Sequence, residues 1–211
     1  YHDRSPGAMV RIGLAPCSPF SVTPDLMRRT AELAERLDVR LHTHLAEDPG
    51  EDRYCEATYG RRPIEHFEEV GWATGRAWVA HCLYPNEAEV ARLGRSGTGV
   101  AHCPSSNLLI GGGGLAPVHE LRAAGSPVGL GCDGSASTDS ASLWMEARNA
   151  LLLGRLRKGP TAMSARDALE IATRGSAACL GREGELGELS VGSVGDLVCW
   201  PLEGVAFAGA L

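Results

Sequence analysis

Val79-Ala80-His81-Cys82 and Val100-Ala101-His102-Cys103 are near copies set 21 residues apart. Each is a short apolar run closing on a histidine. The interval between them fits one strand, one short helix and two loops, the repeat of a parallel βα architecture. Outward from this pair the same alternation continues. Strands are expected at Val10 to Ala15, Val39 to Leu45, Arg76 to Cys82, Gly97 to Cys103 and Pro127 to Cys132. Between the first two, Thr23-Pro24 supplies an N-cap and a first-turn proline. Leu26, Met27, Thr30, Leu33, Ala34 and Leu37 then fall on one helical face. Further helices are expected at 52–59, 63–70, 86–95, 118–124, 140–157, 164–173 and 176–180. One more strand is expected at Asp196 to Trp200, beyond a Gly-rich stretch at 181–195.

Five strands with ends of similar design imply an α/β chain holding the C-terminal part of a (β/α)8 barrel. A complete barrel needs about 250 residues, so residues 1–181 are expected to be its second half. Residues 182–211 are expected to be a linker and the start of a small flanking β domain. A doubly wound open sheet is the alternative, but no Gly-rich fingerprint follows the first strand. The chain opens at Tyr1, in the middle of the pattern, and an upstream portion is expected.

Composition narrows the partners. Lys+Arg 20 against Asp+Glu 26 gives a net charge of −6, which offers no basic field for a nucleic-acid backbone. No apolar run approaches the roughly 18 residues of a membrane span. Seven cysteines without a C-x-x-C pair argue against a disulfide framework or a thiolate zinc knuckle. A reducing, cytoplasmic setting is expected, with no nucleic acid and no membrane as partner.

The polar residues gather at strand C-termini, the rim that carries catalysis in such architectures. His42, His44 and Glu47 close the second strand, His81 the third, His102 the fourth and Asp133 the fifth. Imidazole nitrogen and carboxylate oxygen suit zinc, with iron as the alternative ion. His42 and His44 share a strand face because side chains alternate. Glu47 follows where the strand has become loop, and reads as a proton carrier or as a surface acid beside a core histidine. Asp133 reads as metal ligand and base, or as a helix N-cap. His81 and Cys82 point to opposite strand faces and form no dyad with each other. Cys82, Cys103 and Cys132 read as small packing residues, and His102 as structural. His2, His66 and His119 are expected to be solvated. Gly111 to Gly114 lacks the context of a phosphate cradle and reads as a flexible rim loop. Ser105, Asn107 and Ser135 read as pocket residues or as loop and helix caps.

Several of these segments, taken in order, resemble the amidohydrolase superfamily in its aminohydrolase branch. They are His44-Leu45-Ala46-Glu47, the His81 strand end, Cys103-Pro104-Ser105-Ser106-Asn107 and Gly131-Cys132-Asp133-Gly134-Ser135-Ala136-Ser137. Ala168 to Thr173 and Gly187 to Leu197 are similar to the family's closing segments. Pro16 to Val22, Leu41 to Glu47 and Gly97 to Pro104 are most similar to the 8-oxoguanine deaminase subgroup, and hydroxyatrazine ethylaminohydrolases share much of this wording. Leu109, Thr138 and Gly195 depart from the pattern, where Arg, Asn and Ala are common.

The resemblance implies a zinc-dependent aminohydrolase acting on C–N bonds of cyclic amidines. Of four metal ligands, two belong to a first-strand His-x-His without counterpart upstream of Val10, and two correspond to His44 and Asp133. It implies that Glu47 donates to a substrate ring nitrogen and that His81 lies beside the reacting water. Glu47, His81 and Asp133 are thus the expected catalytic residues, with Glu47, His81, Asn107 and Ser135 facing substrate. The expected reaction is deamination of 8-oxoguanine to urate, in a homo-oligomer. The alternatives are a triazine aminohydrolase or chlorohydrolase, and a non-catalytic piece lacking the His-x-His.

Overall fold

The computed structural model describes residues 1–205, so the final six positions of the expected flanking domain lie outside the described residues. Five parallel strands form one sheet in chain order: β1 Gly13–Leu14, β2 Arg40–Leu45, β3 Ala77–His81, β4 Gly99–His102 and β5 Val128–Leu130. Sequential parallel order with no reversal is the arrangement of barrel strands rather than of a doubly wound sheet, whose order reverses. The register sets His44 opposite Ala80 and His102 opposite Leu130. The polar strand ends therefore face one rim.

The first helix, α1 Pro24–Leu37, starts where its local chemistry dictates. The Thr23 side chain accepts from the Leu26 N–H, Pro24 occupies the first turn, and Asp38 closes the helix in a left-handed conformation. Its inner face buries Met27, Thr30 and Ala34. Helices α2 Pro49–Tyr59 and α3 Pro63–Glu69 follow β2. Trp72, beyond α3, is fully buried and donates its indole N–H to the Met27 carbonyl at 2.8 Å. Helix α4 Glu87–Ser96 carries a capping box between Asn86 and Glu89. Two short helices, α5 Pro104–Leu109 and α6 Val118–Ala123, flank the Gly111–Gly114 loop. After β5 come α7 Leu143–Lys158, α8 Ala165–Glu170, a π turn at Ile171–Gly175 and α9 Ser176–Cys179. No helix of the described residues is long and apolar enough to cross a membrane.

The π turn explains Gly175. A Cβ there would stand 2.0 Å from the Val128 carbonyl oxygen, so only glycine lets this turn lie against β5. The widened turn also merges the two helices expected at 164–173 and 176–180 into one continuous body.

Three expectations need correction. The strand at Val10 to Ala15 shrinks to the pair Gly13–Leu14, at a sheet edge where Val10 and Ile12 stay exposed. Asp196 to Trp200 forms no strand, because among the described residues it meets no neighbouring strand to bond with. His66 is buried rather than solvated: it lies on the inner side of α3, its ring stacked on Tyr59 at 4.0 Å. By contrast, His119 is exposed and His102 buried, while Cys82 and Cys103 are packed in the interior.

Candidate metal centre

Three strand ends converge. One ligand atom each from His44, His81 and Asp133 lies within 4.8 Å of the others. The rings of His44 and His81 stack at 5.4 Å. Glu47 Oε1 is 3.5 Å from His81 Nε2, and Asp133 Oδ2 is 3.8 Å from the same nitrogen. His81 is 1% exposed, while the carboxylates of Glu47 and Asp133 keep about a quarter of their surface open. His44 is partly exposed as well, so of the four side chains only His81 is closed off from solvent.

Backbone conformation makes this convergence. Ala46, His81, Cys82 and Asp133 all adopt positive φ, between 51° and 67°. Each such non-glycine residue costs roughly 1–2 kcal/mol. The strain turns the chain sharply off the ends of β2, β3 and β5. The turns interlock, since Cys82 N–H donates to the Leu45 carbonyl and Leu83 N–H to the Ala46 carbonyl.

Each donor is also oriented from behind. His44 Nδ1 lies 2.7 Å from the Cys17 carbonyl oxygen, which can only accept, so Nδ1 carries the proton and Nε2 presents its lone pair. His81 Nδ1 likewise meets Asn107 Oδ1 at 2.8 Å. Asp133 Oδ2 accepts from Ser106 Oγ at 2.6 Å and Ser137 Oγ at 2.8 Å, and Oδ1 accepts from the Gly134 N–H at 2.8 Å. Desolvation pushes the Asp133 carboxyl up, but these three hydrogen bonds and nearby His81 outweigh it and hold the pKa below its ordinary value. Two tautomer-fixed imidazoles and an ionised carboxylate match the donor set of a zinc or iron site.

The other expected residues separate. His42 sits one pleat deeper, stacked on Trp78 at 4.8 Å with Nδ1 3.2 Å from the Trp78 carbonyl. Burial lowers its pKa, with that carbonyl opposing. Asn107 is buried, its carbonyl oxygen engaged by His81 and its amide nitrogen without a partner among the described residues. Ser135 is exposed on the rim, two residues past Asp133. Ser106 and Ser137, not singled out from the sequence, are the residues that grip Asp133. Their only signal was membership in the Cys103–Asn107 and Gly131–Ser137 segments. Glu51 is a further surprise. It is 4% exposed in the first turn of α2, and its Oε2 accepts the Glu47 N–H at 3.0 Å.

The amidohydrolase family model matches residues 1–210. The chain is 50% identical to the 8-oxoguanine deaminase of Pseudomonas aeruginosa over 210 residues, covering 100% of this chain and 46% of that protein. It is 39% identical to the hydroxydechloroatrazine ethylaminohydrolase of Pseudomonas sp. strain ADP over 214 residues, covering 100% of this chain and 44% of that one. The crystal structure of atrazine chlorohydrolase from Arthrobacter aurescens TC1 complexed with zinc superposes with a TM-score of 0.92 at 41% identity, covering 99% of this chain and 46% of that chain. The chain spans about half the length of the relatives it matches. Sequence, sheet order and convergent donors agree, and the chain belongs to the amidohydrolase family.

Proposed function

We propose that this chain carries the second half of the catalytic site of a zinc-dependent hydrolytic deaminase that releases ammonia from a purine-like heterocycle, converting 8-oxoguanine and water to urate and ammonia. The observation that carries the reading is the meeting of His44, His81 and Asp133 within 4.8 Å, with Glu47 alongside. His44 Nε2 and Asp133 would hold the ion, and the remaining protein ligands belong to the His-x-His that the family pattern implies. When bound, zinc supplies Lewis acidity that brings the pKa of a water from about 16 to roughly 7.

The chain's own residues do the rest. Asp133, kept ionised by Ser106, Ser137 and the Gly134 N–H, accepts the proton of the attacking water. Glu47, at the open side of the site, gives a proton to the ring nitrogen next to the carbon under attack, so negative charge does not build on the ring. His81, with its Nδ1–H committed to Asn107 Oδ1, turns the Nε2 lone pair toward the attacking water, orients it by accepting its hydrogen bond, and stabilises charge on that oxygen once Nε2 has taken up a proton. The proton held by Asp133 then passes to the exocyclic amine, the C–N bond breaks and ammonia leaves, while the remaining hydroxyl proton goes to the Glu47 carboxylate as the carbonyl forms. Ser135 and Asn107 face the substrate side of the rim. Residues 182–211 are the start of a flanking domain, and the working unit is a cytoplasmic homo-oligomer.

The purine reading rests on the 50% identity to an 8-oxoguanine deaminase. A triazine substrate is the second reading, favoured by the close superposition on a triazine-hydrolysing enzyme. A panel of 8-oxoguanine, guanine and hydroxyatrazine, assayed for released ammonia or ethylamine, separates them. For the mechanism, Glu47→Gln in the intact protein should cut ammonia release at least about 100-fold while zinc stays bound. A fall of less than tenfold with zinc retained would remove Glu47 from the proton path.

A further inference from the structure

Glu146 lies in the first turn of α7 and is 1% exposed, yet no Lys or Arg among the described residues pairs with it. A carboxylate buried without a cation is costly, and stability alone would favour an apolar residue there. What it does contact is specific. Its Oε2 accepts the backbone N–H of Ser105 at 2.9 Å, while Oε1 has no partner among the described residues. One turn further along the same face of α7, Asn149 Nδ2 donates to Ser105 Oγ at 3.0 Å. Two side chains of α7 therefore grip one residue of α5.

The next two residues of α5 are the ones that reach the site. Ser106 donates to Asp133, and Asn107 accepts from His81. A six-residue helix has too few internal hydrogen bonds to fix its own position. Its placement must come from outside, and α7 supplies it. We propose that Glu146 is a positioning residue of the reaction: through the Ser105 N–H it sets α5, and through α5 it aims Asp133 at the cation and His81 at the reacting oxygen. This rests on the reading of His44, His81 and Asp133 as the metal centre.

The test uses the intact protein loaded with cobalt in place of zinc, whose visible spectrum reports ligand geometry. Glu146→Gln keeps an oxygen for the Ser105 N–H; Glu146→Leu keeps the volume and loses the acceptor. With folding verified by circular dichroism and thermal melting, Glu146→Leu should show an altered cobalt spectrum and roughly tenfold weaker metal binding by chelator competition. Its kcat should fall by a similar factor with KM little changed, and Glu146→Gln should restore all three. A folded Glu146→Leu variant with the wild-type cobalt spectrum and affinity overturns the proposal. If that variant does not fold, Asn149→Ala decides, since it removes the other hold on Ser105: a shifted spectrum supports the proposal and an unchanged one overturns it. If the wild-type protein itself binds no metal, the metal centre is wrong and this proposal falls with it. A metal-binding wild type beside an indifferent Glu146→Leu variant rejects the role of Glu146 alone.

Discussion

Glu51 should make the protein lose stability as the solution turns alkaline, and the size of the loss follows from its surroundings. Burial pushes its carboxyl up to about 8 from the ordinary 4.5, the charges of Asp52 and Glu47 add to the rise, and the N–H groups of Glu47 and Ala46 oppose it. In the folded state the group therefore holds its proton at neutral pH, while in the unfolded chain it has released it. Between 4.5 and about 8 the folded form binds more protons, so stability falls as pH rises. The contribution is fully present below 4.5 and is lost as pH climbs through about 8, beyond which both states are ionised and the loss levels off. At 1.36 kcal/mol per pH unit, integration from pH 5 to pH 9 gives a loss on the order of 4 kcal/mol. Glu51→Gln keeps an acceptor for the Glu47 N–H and cannot ionise. Urea unfolding of both proteins at pH 5, 7 and 9 cancels the titration of groups that do not interact with Glu51 when the two stabilities are subtracted. The difference should move in favour of the Gln variant by several kcal/mol between pH 5 and pH 9. A difference constant to within about 1 kcal/mol would refute the claim that Glu51 is buried in its neutral form.

Two further outcomes test the frame of the site. Ser106→Ala deletes the shortest of the three hydrogen bonds to Asp133, and zinc affinity measured by chelator competition should drop roughly tenfold or more while the fold persists; unchanged affinity would show that Ser137 and Gly134 suffice. Gly175→Ala forces a methyl group against the Val128 carbonyl, and urea unfolding should show a loss of roughly 3 kcal/mol; a loss below about 1 kcal/mol would mean that the π turn shifts freely away from β5.

Glu51 and Glu146 brace the rim in the same way. Both are buried carboxyl side chains with no cation paired to them among the described residues, and each gives one oxygen to a backbone N–H at the base of a rim segment. Glu51 holds the turn carrying Glu47, and Glu146 holds the helix that reaches Asp133 and His81. The strained residues Ala46, His81 and Asp133 are thus braced from neighbouring helices, as over-determined backbone at a functional site must be.

The alternation of strands and helices, the barrel class and the rim residues His44, Glu47, His81 and Asp133 were legible in the sequence, because periodicity, caps and strand ends are local properties of the chain. Capping at Thr23 was readable for the same reason. The sequence could not reveal α5, which is too short for a periodic signal, nor the failure of Asp196 to Trp200 to pair, which depends on having a neighbour. His66 looked like a surface histidine until Tyr59 was found stacked on it. Tertiary structure alone showed which imidazole nitrogen of His44 is left free to bind an ion, which serines hold Asp133 and which buried acids hold the rim. Those answers lie in hydrogen bonds between residues as far apart as Ser105 and Glu146, and no local pattern records a contact made only when distant segments fold together.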